Sequence, residues 1–364
     1  MKVGILGGGQ LARMIALAGY PLGLKFIVLD PDTNAGAGGL SEHLLGAYDD
    51  PALLAELAEK ADVVTYEFEN VPAHVAEFLS SHTLVYPPAG ALAVAQDRLL
   101  EKNFFRELGI GTAPFAAIDS LTDLQAAMAD IGYPAILKSR RMGYDGKGQA
   151  VLRSEADLAA AWDSMQGAAA IVEGFVNFSR EISIIAARSP SGEIAYYPIS
   201  ENQHRGGILR IAECRDKDPS QTLAEDYVRR LLEKLDYVGV VALELFDTGG
   251  ALLANEFAPR VHNSGHWTIE GSETSQFENH LRAILNLPLG STAPRGYAAM
   301  VNFIGGLADN AELLGIANAH LHLYDKAPRK GRKVAHATIR TDSEAAYLAG
   351  LQQLAHLAAA ADDS

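Results

Sequence analysis

Gly239-Val240-Val241-Ala242-Leu243-Glu244-Leu245-Phe246-Asp247-Thr248-Gly249-Gly250-Ala251-Leu252-Leu253-Ala254-Asn255-Glu256-Phe257 reads as two strands, 239–246 and 251–257, joined at Asp247-Thr248-Gly249-Gly250. The hairpin reading expects Glu244 opposite Glu256, with Leu243, Leu245 and Phe257 on the other face. Like charges facing each other on a half-buried sheet are destabilising. A hard cation reverses that penalty, and Mg²⁺ is typically held by one or two carboxylates plus substrate phosphates. The plain alternative is a one-residue slip or a bulge that separates the two in solvent. The pairing argument puts the metal first. Asn255 adds an amide only if the strand is irregular there.

Upstream, Lys138 ends an apolar strand at 134–138, and Gly143-Tyr144-Asp145-Gly146-Lys147-Gly148-Gln149 follows. The glycines make a loop whose N–H groups can close over phosphates. It does not fit the G-x-x-x-x-G-K-[ST] pattern, and its plain reading is a flexible hairpin connection. A lysine, a phosphate-type loop and a carboxylate pair fit phosphoryl transfer better than hydride transfer.

Further upstream, short apolar runs at 3–6, 25–30, 62–66 and 83–86 alternate with helical patterns at 10–18, 51–60 and 72–79. That alternation predicts a doubly wound α/β unit, closed by Pro87-Pro88. Gly7-Gly8-Gly9-Gln10-Leu11-Ala12 fits the G-x-G-x-x-A dinucleotide fingerprint, with Asp30 at the end of the next strand. The reading stays open between NAD, another phosphate and plain packing. Beyond it the pattern predicts one helix over 89–108. Strands follow at 150–152, 170–173, 180–187, 194–199 and 208–214, with helices at 155–165, 220–235 and 273–285 and an alanine-rich helix at the end.

The 364 residues are 48% hydrophobic and 21% charged, enough for two or three domains with buried cores. A net charge of -15 weighs against nucleic acid as partner, since phosphates need a basic surface. Two basic clusters, 138–141 and 329–333, are solvated faces or hold a small phosphorylated ligand. No apolar run reaches the roughly 18–20 residues of a membrane span. The opening residues lack the features of a signal peptide, so the expectation is a cytoplasmic protein without a membrane partner. Cys214 alone makes no intrachain disulfide and has no evident activating partner. His320 and His322, with His336 nearby, are read as structural rather than as a metal site. Trp267 and Phe277 are read as packing.

Taken together, these motifs resemble the ATP-grasp superfamily, and within it the family of 5-(carboxyamino)imidazole ribonucleotide synthases. The resemblance spans nearly the whole chain. It rests on the glycine stretch above, Tyr66-Glu67-Phe68-Glu69-Asn70-Val71, Gln96-Asp97-Arg98, the 143–149 loop, Glu173 through Arg180-Glu181 and Glu201-Asn202-Gln203-His204. Asn255-Glu256-Phe257-Ala258-Pro259-Arg260-Val261-His262-Asn263-Ser264-Gly265-His266-Trp267 is its most specific part. It implies an N-terminal doubly wound parallel sheet (1–95), an ATP-grasp domain (96–290, with a lid-like part near 112–175) and a small C-terminal domain (291–364). It further implies an ATP-dependent ligase of purine biosynthesis, with Mg²⁺, that carboxylates aminoimidazole ribonucleotide with bicarbonate through carboxyphosphate, and a homodimer.

Carried over onto this sequence, the resemblance gives ATP phosphates to Arg98, Lys138 and His204, with Gly143 through Gln149 folding over them. Glu173, Gly174, Phe175 and Val176 would border adenine, and Glu181 would accept the ribose hydroxyls. Asn255 would join the nucleotide site, and Glu244 and Glu256 would ligate Mg²⁺. Arg260 suits bicarbonate or carboxyphosphate, a guanidinium fork matching planar oxyanions. Glu67, Asn70, Tyr144, Asp145, His262, Asn263 and Ser264 would surround the ribonucleotide, with Lys326 and Arg332 on its phosphate. Asp145 would orient the amine or handle its proton. Asp325 stands where the family has Gly, and Asp tolerates the left-handed conformation better than most residues; Ala335 likewise replaces a Gly before His336. The rival readings are another ATP-grasp enzyme such as the formate-dependent glycinamide ribonucleotide transformylase, an NAD-dependent dehydrogenase, and a silent nucleotide sensor.

Overall fold

The computed structural model describes residues 1–143 and 148–362, and three sheets form among them. The first holds β1 (Lys2–Leu6), β2 (Lys25–Asp30), β3 (Glu42–Leu45) and β4 (Val63–Tyr66), all parallel, in the order β3-β2-β1-β4. Helices α1 (Gln10–Gly19), α2 (Pro51–Lys60) and α3 (Ala73–His82) follow β1, β3 and β4. β4 is buried throughout, and β1 and β2 are buried after their first residue, as a sheet covered on both faces requires. The expected strand at 83–86 is corrected: among the described residues it makes one bridge, Val64 to Val85, before the prolines end it. Its place is taken at the other edge by β3, whose Glu-His-Leu-Leu sequence has no apolar run to announce it.

The helix expected over 89–108 is two, α4 (Ala89–Ala95) and α5 (Arg98–Glu107). Asp97 leaves the helical path to cap α5, its Oδ1 accepting from Leu99 N at 3.0 Å and Leu100 N at 3.4 Å. The interruption places Arg98 on the first turn of α5, where it faces the cavity described below.

The second sheet is antiparallel, with β5 (Phe115–Ile118), β6 (Ala135–Ser139), β7 (Gln149–Leu152) and β8 (Ala170–Gly174) in the order β5-β8-β6-β7. It packs on α6 (Leu121–Ile131) and α7 (Leu158–Ser164) through Leu124, Met128, Leu137 and Leu158. Neither β5 nor α6 was anticipated in the sequence.

The third sheet has nine described strands: β9 (Arg180–Arg188), β10 (Ile194–Tyr196), β11 (Ile199–Arg205), β12 (Ile208–Arg215), β13 (Gly239–Asp247), β14 (Leu252–Ala258), β15 (Tyr297–Ile304), β16 (Ala319–Leu323) and β17 (Lys333–Thr341). The order is β14-β13-β9-β11-β12-β15-β17-β16, with β10 beside β9. α8 (Gln221–Lys234) and α5 cover one face through Val228, Leu231 and Phe105. After the single turn α9 (Thr268–Gly271), α10 (Gln276–Ile284) and α1 cover the other, where Ile15, Phe277 and Leu281 meet Ile185 and Val240. That shared core joins the first sheet to the third. Buried His280 of α10 sits in the joint, its Nδ1 accepting from Val240 N at 3.1 Å and its Nε2 lying 2.8 Å from Thr65 Oγ1. α11 (Asn310–Gly315) and α12 (Glu344–Asp362) pack on β15, β16 and β17.

Candidate active site

A cavity of about 990 Å³ opens where the three sheets converge. Glu67, Asn70, Arg98, Lys138, Gly143, Gln149, Glu181, His204, Glu244, Asn255, Glu256, Arg260, His262, Asn263, Lys326 and Arg332 all line it, as the sequence led us to expect. Tyr144, Asp145, Gly146 and Lys147 lie outside the described residues. Gly148, Glu173, Gly174, Phe175, Val176 and Ser264 are not among the residues that line it. Phe175 is exposed, and Glu173 lies buried beneath the cavity floor.

Glu244 does face Glu256, but the regular hairpin is corrected. From the turn outward Asp247 pairs with Leu252, Phe246 with Leu253 and Leu245 with Ala254, a register that would bring Asn255 opposite Glu244. A β-bulge inserts Asn255 as an unpaired residue, and Glu256 moves into register with Glu244. The irregularity also turns Asn255 to the cavity. A bulge had been the reason to expect the two carboxylates apart; here it brings them together.

The pair is electrically asymmetric. Glu256 Oε2 accepts from Arg98 Nη1 at 2.9 Å, and the cavity leaves its side chain 42% exposed. Burial pushes its carboxyl up, but the guanidinium outweighs that and holds it below the usual range. Burial and the neighbouring Glu256 charge push Glu244 up to about 7. Glu101, almost fully buried against β14 yet part of the cavity wall, is pushed up to about 8 by burial and again by Glu256. Lys138 reaches Glu173 Oε2 at 3.1 Å, and Lys102 reaches the same oxygen at 3.2 Å. Burial would raise Glu173, yet these two charges bring it to about 2.

Ser264 is fully buried and acts on its neighbour rather than on the cavity. Asn202 Nδ2 donates to Ser183 Oγ at 3.1 Å, whose hydroxyl donates to Ser264 Oγ at 2.7 Å. Ser264 Oγ lies 2.8 Å from His262 Nδ1, which also accepts from Ser264 N at 3.3 Å. The remaining ring proton therefore sits on Nε2, aimed at Glu244 Oε1 3.2 Å away. Burial, then the Arg260 charge, keeps this imidazole neutral.

A second chain fixes Asn263. Asn302 donates to Leu209 O at 2.9 Å, which settles its orientation, and also to Asn263 Oδ1 at 2.7 Å. Asn263 Nδ2 is spent on Asn302 Oδ1 at 3.1 Å and His266 Nδ1 at 3.0 Å. Tyr324 Oη links His266 Nδ1 at 3.3 Å to His336 Nδ1 at 2.7 Å, while His322 stacks on His336 and meets Glu270 Oε1 at 2.8 Å. Of the three histidines read as structural, His322 and His336 are held by these contacts, while His320 is exposed. Gln10, Glu69, Gln96, His266, Tyr324 and Lys330 line the cavity without having been singled out in the sequence. Gln10, Glu69, Gln96 and His266 stood inside motifs already quoted and Lys330 inside the 329–333 cluster, so their signal was present.

Arg260 Nε meets Glu69 Oε2 at 2.5 Å and its Nη1 donates to Val261 O at 3.1 Å. Lys326 Nζ donates to Gln10 Oε1, tying the far end of the chain to the start of α1. Asp325 is left-handed at φ 56°, the conformation expected of it.

The glycine loop at α1 is filled by the protein itself. Gly8 N donates to Asp30 Oδ2 at 2.7 Å, Gly9 N to Glu67 Oε1 at 2.6 Å and Ala12 N to Glu67 Oε2 at 3.1 Å. A Cβ on Gly9 would stand 2.5 Å from Glu67 Oε1. The anion at this helix N-terminus is the carboxylate of Glu67, just past β4, and Asp30 faces the loop rather than a ribose. Glu67 therefore lines the cavity with both oxygens already engaged.

A three-sheet assembly closing on a lysine, an arginine and paired carboxylates defines an ATP-grasp enzyme, an ATP-dependent ligase. An ATP-grasp domain model matches residues 103–277, a ribonucleotide synthetase preATP-grasp domain 1–96, and a phosphoribosylaminoimidazole carboxylase C-terminal domain 298–349. The N5-carboxyaminoimidazole ribonucleotide synthase of Pseudomonas aeruginosa is 52% identical over 354 residues, covering 97% of this chain and 98% of that one. The chain belongs to the N5-carboxyaminoimidazole ribonucleotide synthase family. The crystal structure of N5-carboxyaminoimidazole ribonucleotide synthetase from Thermus thermophilus matches with a TM-score of 0.93 at 54% identity, over 98% of each chain. That of the Aspergillus clavatus synthase, in complex with ADP and 5-aminoimidazole ribonucleotide, matches with a TM-score of 0.91 at 30% identity, over 99% of this chain and 98% of that one.

Proposed function

We infer that this enzyme carboxylates 5-aminoimidazole ribonucleotide with bicarbonate at the expense of ATP, releasing ADP and phosphate, in purine biosynthesis. The observation that carries the reading is one cavity with a phosphoryl end, Arg98, Lys138 and the Glu244/Glu256 pair, and an oxyanion end, Arg260, Lys326 and Arg332. The Aspergillus relative, solved with ADP and the ribonucleotide, supports both ligands.

In this proposal Arg98, Lys138 and His204 bind the ATP phosphates, and Glu181, 2.9 Å from His204 Nδ1, accepts from the ribose. Gly143 and Gln149 flank the loop that covers the nucleotide, with Glu173 through Val176 bordering adenine. Two carboxylates and the Asn255 amide are hard oxygen donors, and Glu244 stays raised even though Arg98 offsets Glu256, so they fit Mg²⁺. Bound there, Mg²⁺ would draw charge from the β- and γ-phosphates. Arg260 holds bicarbonate and then carboxyphosphate, with Glu69 fixing the guanidinium plane. Carboxyphosphate hydrolyses readily, so the closed chamber must keep water out. Asn263, both its donors spent, presents an acceptor lone pair suited to the amine N–H of the ribonucleotide. His262 orients beside it, Asn70, Tyr144 and Asp145 complete the acceptor pocket, and Lys326 and Arg332 take the nucleotide phosphate. We assign domains at 1–95, 96–290 and 291–364, and propose a cytoplasmic homodimer on the family resemblance, which sedimentation velocity checks for assembly.

The decisive experiment is ADP release with ATP, Mg²⁺ and bicarbonate, with and without aminoimidazole ribonucleotide. Strong stimulation by the ribonucleotide is expected. ATP binding without stimulation would mean a different acceptor.

A further inference from the structure

The bulge that pairs Glu244 with Glu256 lies on β14, the edge strand of the third sheet; outward of it Ala254 N donates to Gly111 O at 2.7 Å, and past that single bridge no strand among the described residues pairs with its outer edge. Two consecutive residues of α5 meet that edge. Glu101 Oε1 accepts from Phe257 N at 2.7 Å, and Lys102 Nζ donates to Asn255 O at 2.7 Å and Ala254 O at 3.4 Å. In a regular strand neighbouring carbonyls point to opposite sides; two converging on one ammonium are a product of the bulge. Both side chains are about as buried as any in the protein, 2% and 1% exposed, although each carries an ionisable head. Lys102 also pairs with Glu173 of β8, so the same residue ties the second sheet to the bulge.

We propose that Glu101 and Lys102 are positioning residues that clamp the β14 bulge, so that Glu256 and Asn255 face Glu244 and the cavity together. Without the clamp the register set at the turn continues, Asn255 takes the place opposite Glu244, and Glu256 passes to the far face. The proposal rests on the reading that Glu244 and Glu256 hold a divalent cation. What matters at 101 is an acceptor atom at full side-chain length, and charge is incidental.

The test is ADP binding by titration calorimetry with excess Mg²⁺ and again with a chelator, on the whole protein. In Glu101→Leu the gain in ADP affinity that Mg²⁺ confers should fall about tenfold or more, the scale on which groups supporting a metal ligand act. Metal-free ADP binding should stay near wild type, and the Phe257 amide should exchange with deuterium faster. Glu101→Gln, which keeps the acceptor, should retain the gain. A Glu101→Leu protein with the full Mg²⁺ gain overturns the proposal. Should Glu101→Leu not fold, Glu101→Gln and Glu101→Asp decide: the clamp requires Gln to outperform the shorter Asp, and the reverse order overturns it. A wild-type protein showing no Mg²⁺ gain at all would instead sink the cation reading.

Discussion

In the ligand-free fold Glu244 favours its protonated form, and a cation bound as proposed would displace that proton. Its carboxyl moves from an ordinary 4.5 to about 7, because the fold buries it beside Glu256. The neutral form is therefore the one the ligand-free fold favours. Its contribution to stability is fully present below about pH 4.5 and is lost as pH rises through about 7. Cation binding reverses the preference, since a ligating carboxylate must be ionised. Mg²⁺·ADP binding should accordingly release a proton near pH 6 and almost none near pH 8.5. Calorimetry in buffers of different ionisation enthalpy checks this, and equal release at both would exclude Glu244. Glu256→Gln should cut Mg²⁺-dependent turnover by a hundredfold or more, about 3 kcal/mol of barrier, with the thermal midpoint little changed. Near-normal turnover would refute the assignment. The sequence carried the two glutamates by type and by their place on paired strands, but the facing pair needs the bulge, which spacing about the turn does not show. It did not carry Asn255, because a bulge is stabilised by Glu101 and Lys102, more than 150 residues away in the chain.

α1 shows how one element can satisfy a fingerprint while serving another purpose. Its first turn needs glycines so that Glu67 and Asp30 can reach the backbone N–H groups. Gly9→Ala would push a methyl group against Glu67, and we expect a loss of about 1–3 kcal/mol, as for an orphaned buried carboxylate. Denaturant unfolding measures this, and an unchanged midpoint would show that Glu67 is not anchored there. The helix itself was readable from its apolar period, as were the strands at 3–6 and 25–30. β3 was hidden by its half-polar sequence, and the break at Asp97 by helix formers on both sides. β5 and α6 pack against β8, which is distant in sequence, and no local pattern carries that contact.

Across the whole molecule, the cavity is assembled from segments more than 300 residues apart. Lys326 meets Gln10, and Gly36 packs against the backbone of Tyr324. The end proposed for the ribonucleotide therefore exists only once the last strands have docked on the first sheet, whereas the end proposed for the ATP phosphates is built from α5 and the second and third sheets. Arg332→Ala should raise the KM for the ribonucleotide at least tenfold while moving the KM for ATP little, as steady-state kinetics would register. The reverse pattern would place the nucleotide phosphate elsewhere. His266, Tyr324 and Asn302 could not be read as one network from the sequence, since only the docked strands bring them together. The filled glycine loop has a consequence for life among other metabolites. Asp30 and Glu67 are tethered to the donors they occupy, at an effective concentration in the millimolar range or above. A freely diffusing dinucleotide must outcompete groups that cannot diffuse away, so the enzyme keeps a dinucleotide-type helix turn while staying indifferent to the dinucleotide pool around it.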